Sequence, residues 1–531
     1  MVRTLADRPH PPVRRRYRPA MALRDVELVE EVPPEPGPTG RDDVRPPWRR
    51  HPRRTAAVAA VLVVAVAAAV GLELRTRADD AARVSALRAV PGVLGPVDPA
   101  LPVARRLTAD DAAGQVLAMA LLHGVRAGGV TVTGGQDGSR GVVVGVDLGT
   151  GAEVWRTALP ARGHEGDVEL AHVWCTASQE DVTASRQGRR HPVEDGLVGC
   201  VSTWRPRVDD AAVLDGTTDV PTLFAVDPVD GRARQVAELP AGASTTRVDD
   251  GWVVVSAADG PVVVEHRGDD GASRWRTVLE GARSAPPPWS GPVVGRGAVL
   301  VTTPDDGAWL LGLSDGSVAR RLPDARGTGG LVLPGGDVVV AERGQGEGPG
   351  VLHRADGTSD DLDGEVLVPV EVDDGSLGDV LLTSRGSLSV TLRRPDGAVV
   401  WRADAPLTQA MVVDGTVVGV TAGEVVRLDG DDGATRWRAR RPLVDPYPYL
   451  LTDGAVVMLA TTGGVDAWTF DGEPAWAGRP DRTSAEPRLR AVAPDPSPPP
   501  VGEEAPLDVF WAVTPDGRLL AQVAEQLLVL G

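Results

Sequence analysis

Cys175 and Cys200 are the only thiols in the 531 residues. They flank one polar, turn-rich stretch. In an oxidising compartment such a pair reads as a disulfide, and closing that interval would contribute about 3 kcal/mol in the chain-entropy account. The eight histidines offer imidazoles for acid–base or metal chemistry. His164, His172 and His191 fall close together but lack an H-x-x-x-H or Cys-x-x-Cys companion, so the spacing supports no metal. Gly312, Ser314 and Gly316 spell G-x-S-x-G. A nucleophile needs that motif on a strand-to-helix elbow, and here Gly316 belongs to a turn between two strands. The chain has no lysine, which rules out a G-x-x-x-x-G-K phosphate loop. Asp429, Asp431 and Asp432 miss the spacing that brings six or more oxygens to calcium and read as a surface turn. Arg267, Gly268 and Asp269 form an adhesion-like tripeptide read as coincidence, and the stretch 344–350, GQGEGPG, reads as a hairpin loop. No catalytic, cofactor-binding or metal-ligating residue is assigned.

The elements that would position any such residue are strands. From about residue 115, short Val/Leu-rich runs alternate with Asp-Gly and Gly-rich turns, which is a hairpin rhythm. A turn ending in glycine recurs at Gly151, Gly231, Gly271, Gly316, Gly357, Gly397, Gly433 and Gly472. Apart from one double interval the spacing is near 40 residues, which suits a four-stranded propeller blade. In five units a tryptophan follows the turn glycine by four positions: Trp155, Trp275, Trp401, Trp437 and Trp476.

The segments 141–157, 261–277 and 423–439 share one layout of strand, turn and strand ending in Trp. This layout resembles the pyrroloquinoline-quinone-like (PQQ-like) propeller repeat, most closely at Val146, Asp147, Gly149, Thr150, Gly151 and Trp155. The resemblance covers about 115 to 531 and implies an all-β propeller. It also implies that the five tryptophans pack between adjacent blades. Nine repeat-like units can be counted, the family resemblance favours eight, and the expectation is eight within a range of seven to nine, with the weak units near Arg354 and Leu519 read as partial. The C-terminal EQLLVLG is expected to close the ring. Quinone-dependent members of this family use an Asn ligand for calcium and adjacent cysteines. The chain has no Asn and no adjacent cysteines, so no cofactor is expected. The double interval reads as one blade with insertions at 176–195 and 205–220, and 494–506 reads as a third insertion. Such loops are places where ligands bind.

Residues 56–72 form an uncharged apolar run of 17, enough to cross a bilayer as a short helix. Arg45, Arg49, Arg50, Arg53 and Arg54 precede it, whereas Asp79 and Asp80 follow soon after. The positive-inside rule then places the N-terminus in the cytoplasm and the remainder outside. The alternative is a cleaved secretory signal. Expected segments are a disordered cytoplasmic tail (1–54), a transmembrane helix (55–74), a juxtamembrane helix with a proline-punctuated spacer (75–114) and the propeller (115–531). Residues 1–54 carry 13 Arg and 8 carboxylates, net +5, which leaves −24 of the overall −19 elsewhere and excludes nucleic acid as the propeller's partner. The function expected is a membrane-tethered binding or scaffolding module for a protein or envelope ligand. Two alternatives stand beside it: an oxidoreductase or other enzyme with its site at the propeller channel, and a sensor signalling through a partner of the tail.

Overall fold

The computed structural model describes residues 52–530 except 109–111, 138–139, 161–167, 177–195, 207–219, 258–259, 283–290, 304–306, 323–324, 326–328, 342–349, 363–365, 369, 387, 422–423, 441–447, 481–488, 493–508, 515–516 and 524–525. The tail 1–51, His164, His191 and the bulk of all three insertions therefore lie outside the described residues. Two compact units are present, 1–75 and 76–531. Helix α1 (Pro52–Arg88) is continuous where a membrane helix and a separate short helix were expected, because no proline or glycine interrupts 73–88. Among the described residues no helix is long and apolar enough to cross a membrane. The side chains of 56–63, half of the apolar run, lie outside the described residues.

The second unit is an all-β propeller. Its described strands form nine antiparallel sheets of four strands, two of which gain a fifth. Eight blades were expected, and nine is the correction. The unit near Arg354 is a complete blade, although its outer strand, Ser359–Asp361, is only three residues long and wholly exposed. Blades are numbered here in chain order from Val125–Ala127. The first strands of blades 3 and 4, 4 and 5, and 7 and 8 touch one another, which places the first strand of every blade at the ring axis. Turns joining first to second and third to fourth strands consequently share one face, termed the turn face.

Blade 9 closes the ring. It takes three strands from the C-terminal end of the chain, and its outer strand, Val103–Thr108, comes from before blade 1 and pairs with Gln526–Leu530. Pairing the two ends in one blade removes the free edges that an open sheet would leave. The propeller thus begins at Val103 and not near 115. Helix α2 (Ala112–His123) follows that strand and buries Leu117, Ala120 and Leu121 against blades 9 and 1.

The stretch 91–102, expected as a proline-punctuated spacer, is instead packed onto the propeller. Leu94 and Leu101 are each 1% exposed and join a cluster with Leu451, Trp476, Trp511 and Leu528. Leu94 N donates to Thr452 O (2.8 Å) and Gly95 N to Gly517 O (2.9 Å), so the segment is tied to the first-to-second turns of blades 8 and 9. Upstream, Arg83 pairs with Asp414 at 2.9 Å and lies over the Phe470 ring, while Arg88 donates to Asp453 O. Its prolines suggested a tether, but two leucines with an apolar cleft to fill outweigh that signal.

Candidate functional site

The two periodic marks of the sequence touch each other across blade boundaries. Trp155 of blade 1 lies against Gly231 of blade 2 and donates its indole N–H to Pro228 O at 2.9 Å. Trp275 meets Gly316 and Leu313 O, Trp401 meets Gly433 and Gly430 O, and Trp437 meets Gly472 and Phe470 O, with N···O distances of 2.7–2.8 Å. A Cβ at Gly433 would stand 2.7 Å from the Trp401 ring. Glycine is thus required there for space as well as for its positive φ of 72°. Thr157 and Thr277, two residues after their tryptophans, add hydroxyl bonds of 2.6 Å to Gly231 O and Gly316 O. Trp275, Trp401 and Trp476 are buried, and Trp155 and Trp437 half-buried.

Trp476 has no next turn to meet, because the third and outer strands of blade 9 are not consecutive in the chain. Leu94 and Leu101 pack with it in that place. At the other seams, arginine supplies the donor. Arg105 of blade 9 reaches Thr150 O at 2.5 Å beside Gly151, Arg234 reaches Asp269 O beside the Gly271 turn, and Arg320 reaches the carbonyls of Gly336, His353 and Arg354. Arg354 donates to Asp396 O at 2.9 Å, beside Gly397. Sequence reasoning missed these arginines. Arg320 was findable, since it follows Gly316 by the same four positions as the tryptophans, whereas Arg105 and Arg234 fall outside that register. Gly357 has no ring against it.

Cys175 and Cys200 form a disulfide. They stand directly opposite one another on the first two strands of blade 2, both buried, at the base of the 177–195 connection. Nearby His172 is exposed and lies 3.3 Å from the Thr203 hydroxyl. Ser314 is exposed in a hairpin turn, without the elbow geometry of a nucleophile. Among the described residues no group of three or more His, Cys, Asp or Glu could hold a metal ion.

The turn face has a consistent chemistry. Every third-to-fourth hairpin of blades 1 to 8 carries an aspartate: Asp147, Asp227, Asp269, Asp315, Asp356, Asp396, Asp429 and Asp471. Several cap their own turn, as when Asp147 accepts from Gly149 N at 2.8 Å and Asp429 from Asp431 N at 2.9 Å. Asn, the other residue that caps such turns, does not occur in the chain. The Thr150 hydroxyl holds the Asp147 carboxyl below the usual carboxylate range, as the Thr358 hydroxyl does for Asp356. The backbone amides of Ser317 and Asp431 do the same for Asp315 and Asp429. Asp269 also makes a bidentate pair with the buried Arg247 at 2.5 and 2.8 Å, which gives the Arg267, Gly268, Asp269 tripeptide a structural role. The turn face thus carries one aspartate on each third-to-fourth hairpin of blades 1 to 8, with Asp269 and Asp429 paired to Arg247 and Arg436.

A family model described as outer membrane protein assembly factor BamB matches residues 139–346 and 384–524. No curated protein matches. Among solved structures, BamB from Moraxella catarrhalis is similar at 16% identity over 81% of this chain and 99% of that chain, with a TM-score of 0.39. The computationally designed Ika8 protein is similar at 14% identity over 62% and 92%, with a TM-score of 0.33, and Sqt1 of Saccharomyces cerevisiae at 9% over 67% and 96%, with a TM-score of 0.34.

Proposed function

Because the chain belongs to the PQQ-like repeat family whose model is described as outer membrane protein assembly factor BamB, we propose that it is a membrane-tethered extracytoplasmic scaffold that binds a protein partner through its turn face. The observation that carries this reading is the aspartate in each third-to-fourth hairpin of blades 1 to 8, four of them (Asp147, Asp315, Asp356 and Asp429) held below the usual carboxylate range by their own turns, on a ring fastened at every seam. Flat, charged, rigid surfaces suit protein recognition, with charge setting encounter rate and orientation. The partner's matching surface is basic.

Tethering is supported by the apolar run with its one-sided arginine cluster and by the exposure of its described side chains: Val64, Val66, Val70 and Leu72 are 52–68% exposed on α1. Apolar side chains left open along a helix call for a non-aqueous neighbour. The disulfide supports an oxidising compartment for the propeller. Residues 1–54 would then lie in the cytoplasm and 55–74 in the bilayer.

The test is affinity capture from solubilised membranes with the full chain as bait, compared with a variant carrying Asp147→Asn, Asp227→Asn and Asp315→Asn, whose Oδ1 atoms accept from Gly149 N, Val229 N and Ser317 N. Asparagine keeps the oxygen that caps each turn, so the fold persists while charge is lost. The expected outcome is a defined protein partner retained by the parent, released by raised salt and lost from the variant. Equal retention by both would exclude the turn face as the binding surface.

A further inference from the structure

The inner strand of blade 6 is shared between two blades. Val366–Leu367 pairs antiparallel with Leu381–Arg385 of its own blade, and Val368 N continues that ladder to Leu382 O at 2.9 Å. Val370–Asp373 instead lies parallel to Gln409–Val413, the inner strand of blade 7, with Val370 beside Ala410 and Asp373 beside Val412. A proline, which cannot donate to a ladder, stands between the halves at position 369. One edge of Gln409–Val413 is occupied by Thr416–Val420. The remaining edge faces the ring axis, so a strand added there enters the central channel.

The chain then forms blade 6's first-to-second connection on the turn face, with Leu377 and Val380 packed against the core shared by blades 6 and 7. Asp374 N donates to Val412 O at 3.1 Å, and the Asp374 carboxylate accepts from Asp414 N at 2.8 Å. The Ser376 hydroxyl accepts from Gly415 N at 2.8 Å, and the Leu377 side chain fills the space left open by Gly430. Asp379 finally pairs with Arg296 at 2.5 Å, reaching past blade 5 to the first turn of blade 4. We infer that residues 370–380 form a built-in plug at the turn-face mouth of the central channel, fastened to blades 4 and 7 and clasped by the Arg296–Asp379 pair.

Two of the plug's attachments are light. Its ladder is short, and both partners of its clasp are substantially exposed, at 42% and 52%. Exposed pairs contribute about 0.2–1 kcal/mol and weaken with salt. Val372 resists release, being 1% exposed among the core residues of blade 7. The segment falls where the family model leaves the chain unmatched, between 346 and 384. A ligand approaching the axis from the turn face has to displace this segment first, whichever partner the hairpins themselves bind.

Hydrogen exchange by mass spectrometry on the full chain tests the plug. In Asp379→Asn, peptides spanning 368–380 should exchange about two- to fivefold faster, while peptides from 409–440 keep the parent rate. Raised salt should reproduce the effect in the parent. A second variant, Val372→Asp, should strip protection from 370–380 with blade 7 still protected. The inference is overturned if 368–380 exchanges only in step with 409–440, if Asp379→Asn leaves its rate unchanged, or if Val372→Asp opens blade 7 as a whole.

Discussion

At the scale of single residues, the seam between blades 6 and 7 is the most exacting contact. Trp401→Ala removes a buried aromatic together with its 2.8 Å bond to Gly430 O and should cost about 3–5 kcal/mol. Gly433→Ala puts a methyl against the same ring at a positive φ and should cost about 1–3 kcal/mol. Because the methyl would occupy space vacated by the ring, the double variant should lose less than the two single losses together, by about 0.5–3 kcal/mol. Denaturant melts of the three variants measure this, and strict additivity would separate Gly433 from Trp401. Trp174→Ala, on a side chain 36% exposed, should cost well under half as much as Trp401→Ala and serves as the control. Trp289, a natural choice for an exposed control, lies outside the described residues. Both partners of this contact were visible in the sequence as separate periodic marks. Their meeting was not, because period alone does not say which blade's turn a side chain reaches. Trp252 and Trp309, among the largest fully buried side chains, were not legible either, since they lie outside the turn register.

At the scale of the element, blade 2 depends on its cross-strand link. Replacing Cys175 and Cys200 by serine should lower stability by about 3 kcal/mol, and reductant should lower the melting temperature of the parent but not of the double variant. Loss of stability to reductant in both proteins would dissociate the effect from this bond. The disulfide was legible because only two cysteines exist and they flank one insertion. Blade number was harder to read. Blade 5 has no tryptophan four residues after Gly357, the position being Asp361, and blade 9 is divided between distant segments. Leu94 and Leu101 sit among prolines, and local composition cannot reveal an apolar cleft formed by residues some 350 or more positions away. The run 366–373 reads as a single alternating strand, and only the proline at 369 hints that its partner changes midway.

For the whole molecule, the direction of the chain is testable through α1. A reporter fused after Gly531 should be active outside the cytoplasm and silent inside, and protease added to spheroplasts should digest the propeller while sparing 1–54. Activity inside the cytoplasm would reverse the proposed topology. The positive-inside asymmetry in the sequence carries that expectation, and no packing within the propeller bears on it. Ring closure by Val103–Thr108 against Gln526–Leu530 also governs the order in which the molecule can be made. An early strand must stay unpaired until residues 526–530 are translated, more than 400 residues later. Bringing such distant ends together is entropically slow, and the half-built arc presents two open sheet edges meanwhile. A nascent chain stalled before residue 526 would therefore be a sticky intermediate, and small deletions within Gln526–Leu530 should harm biogenesis far more than their size suggests.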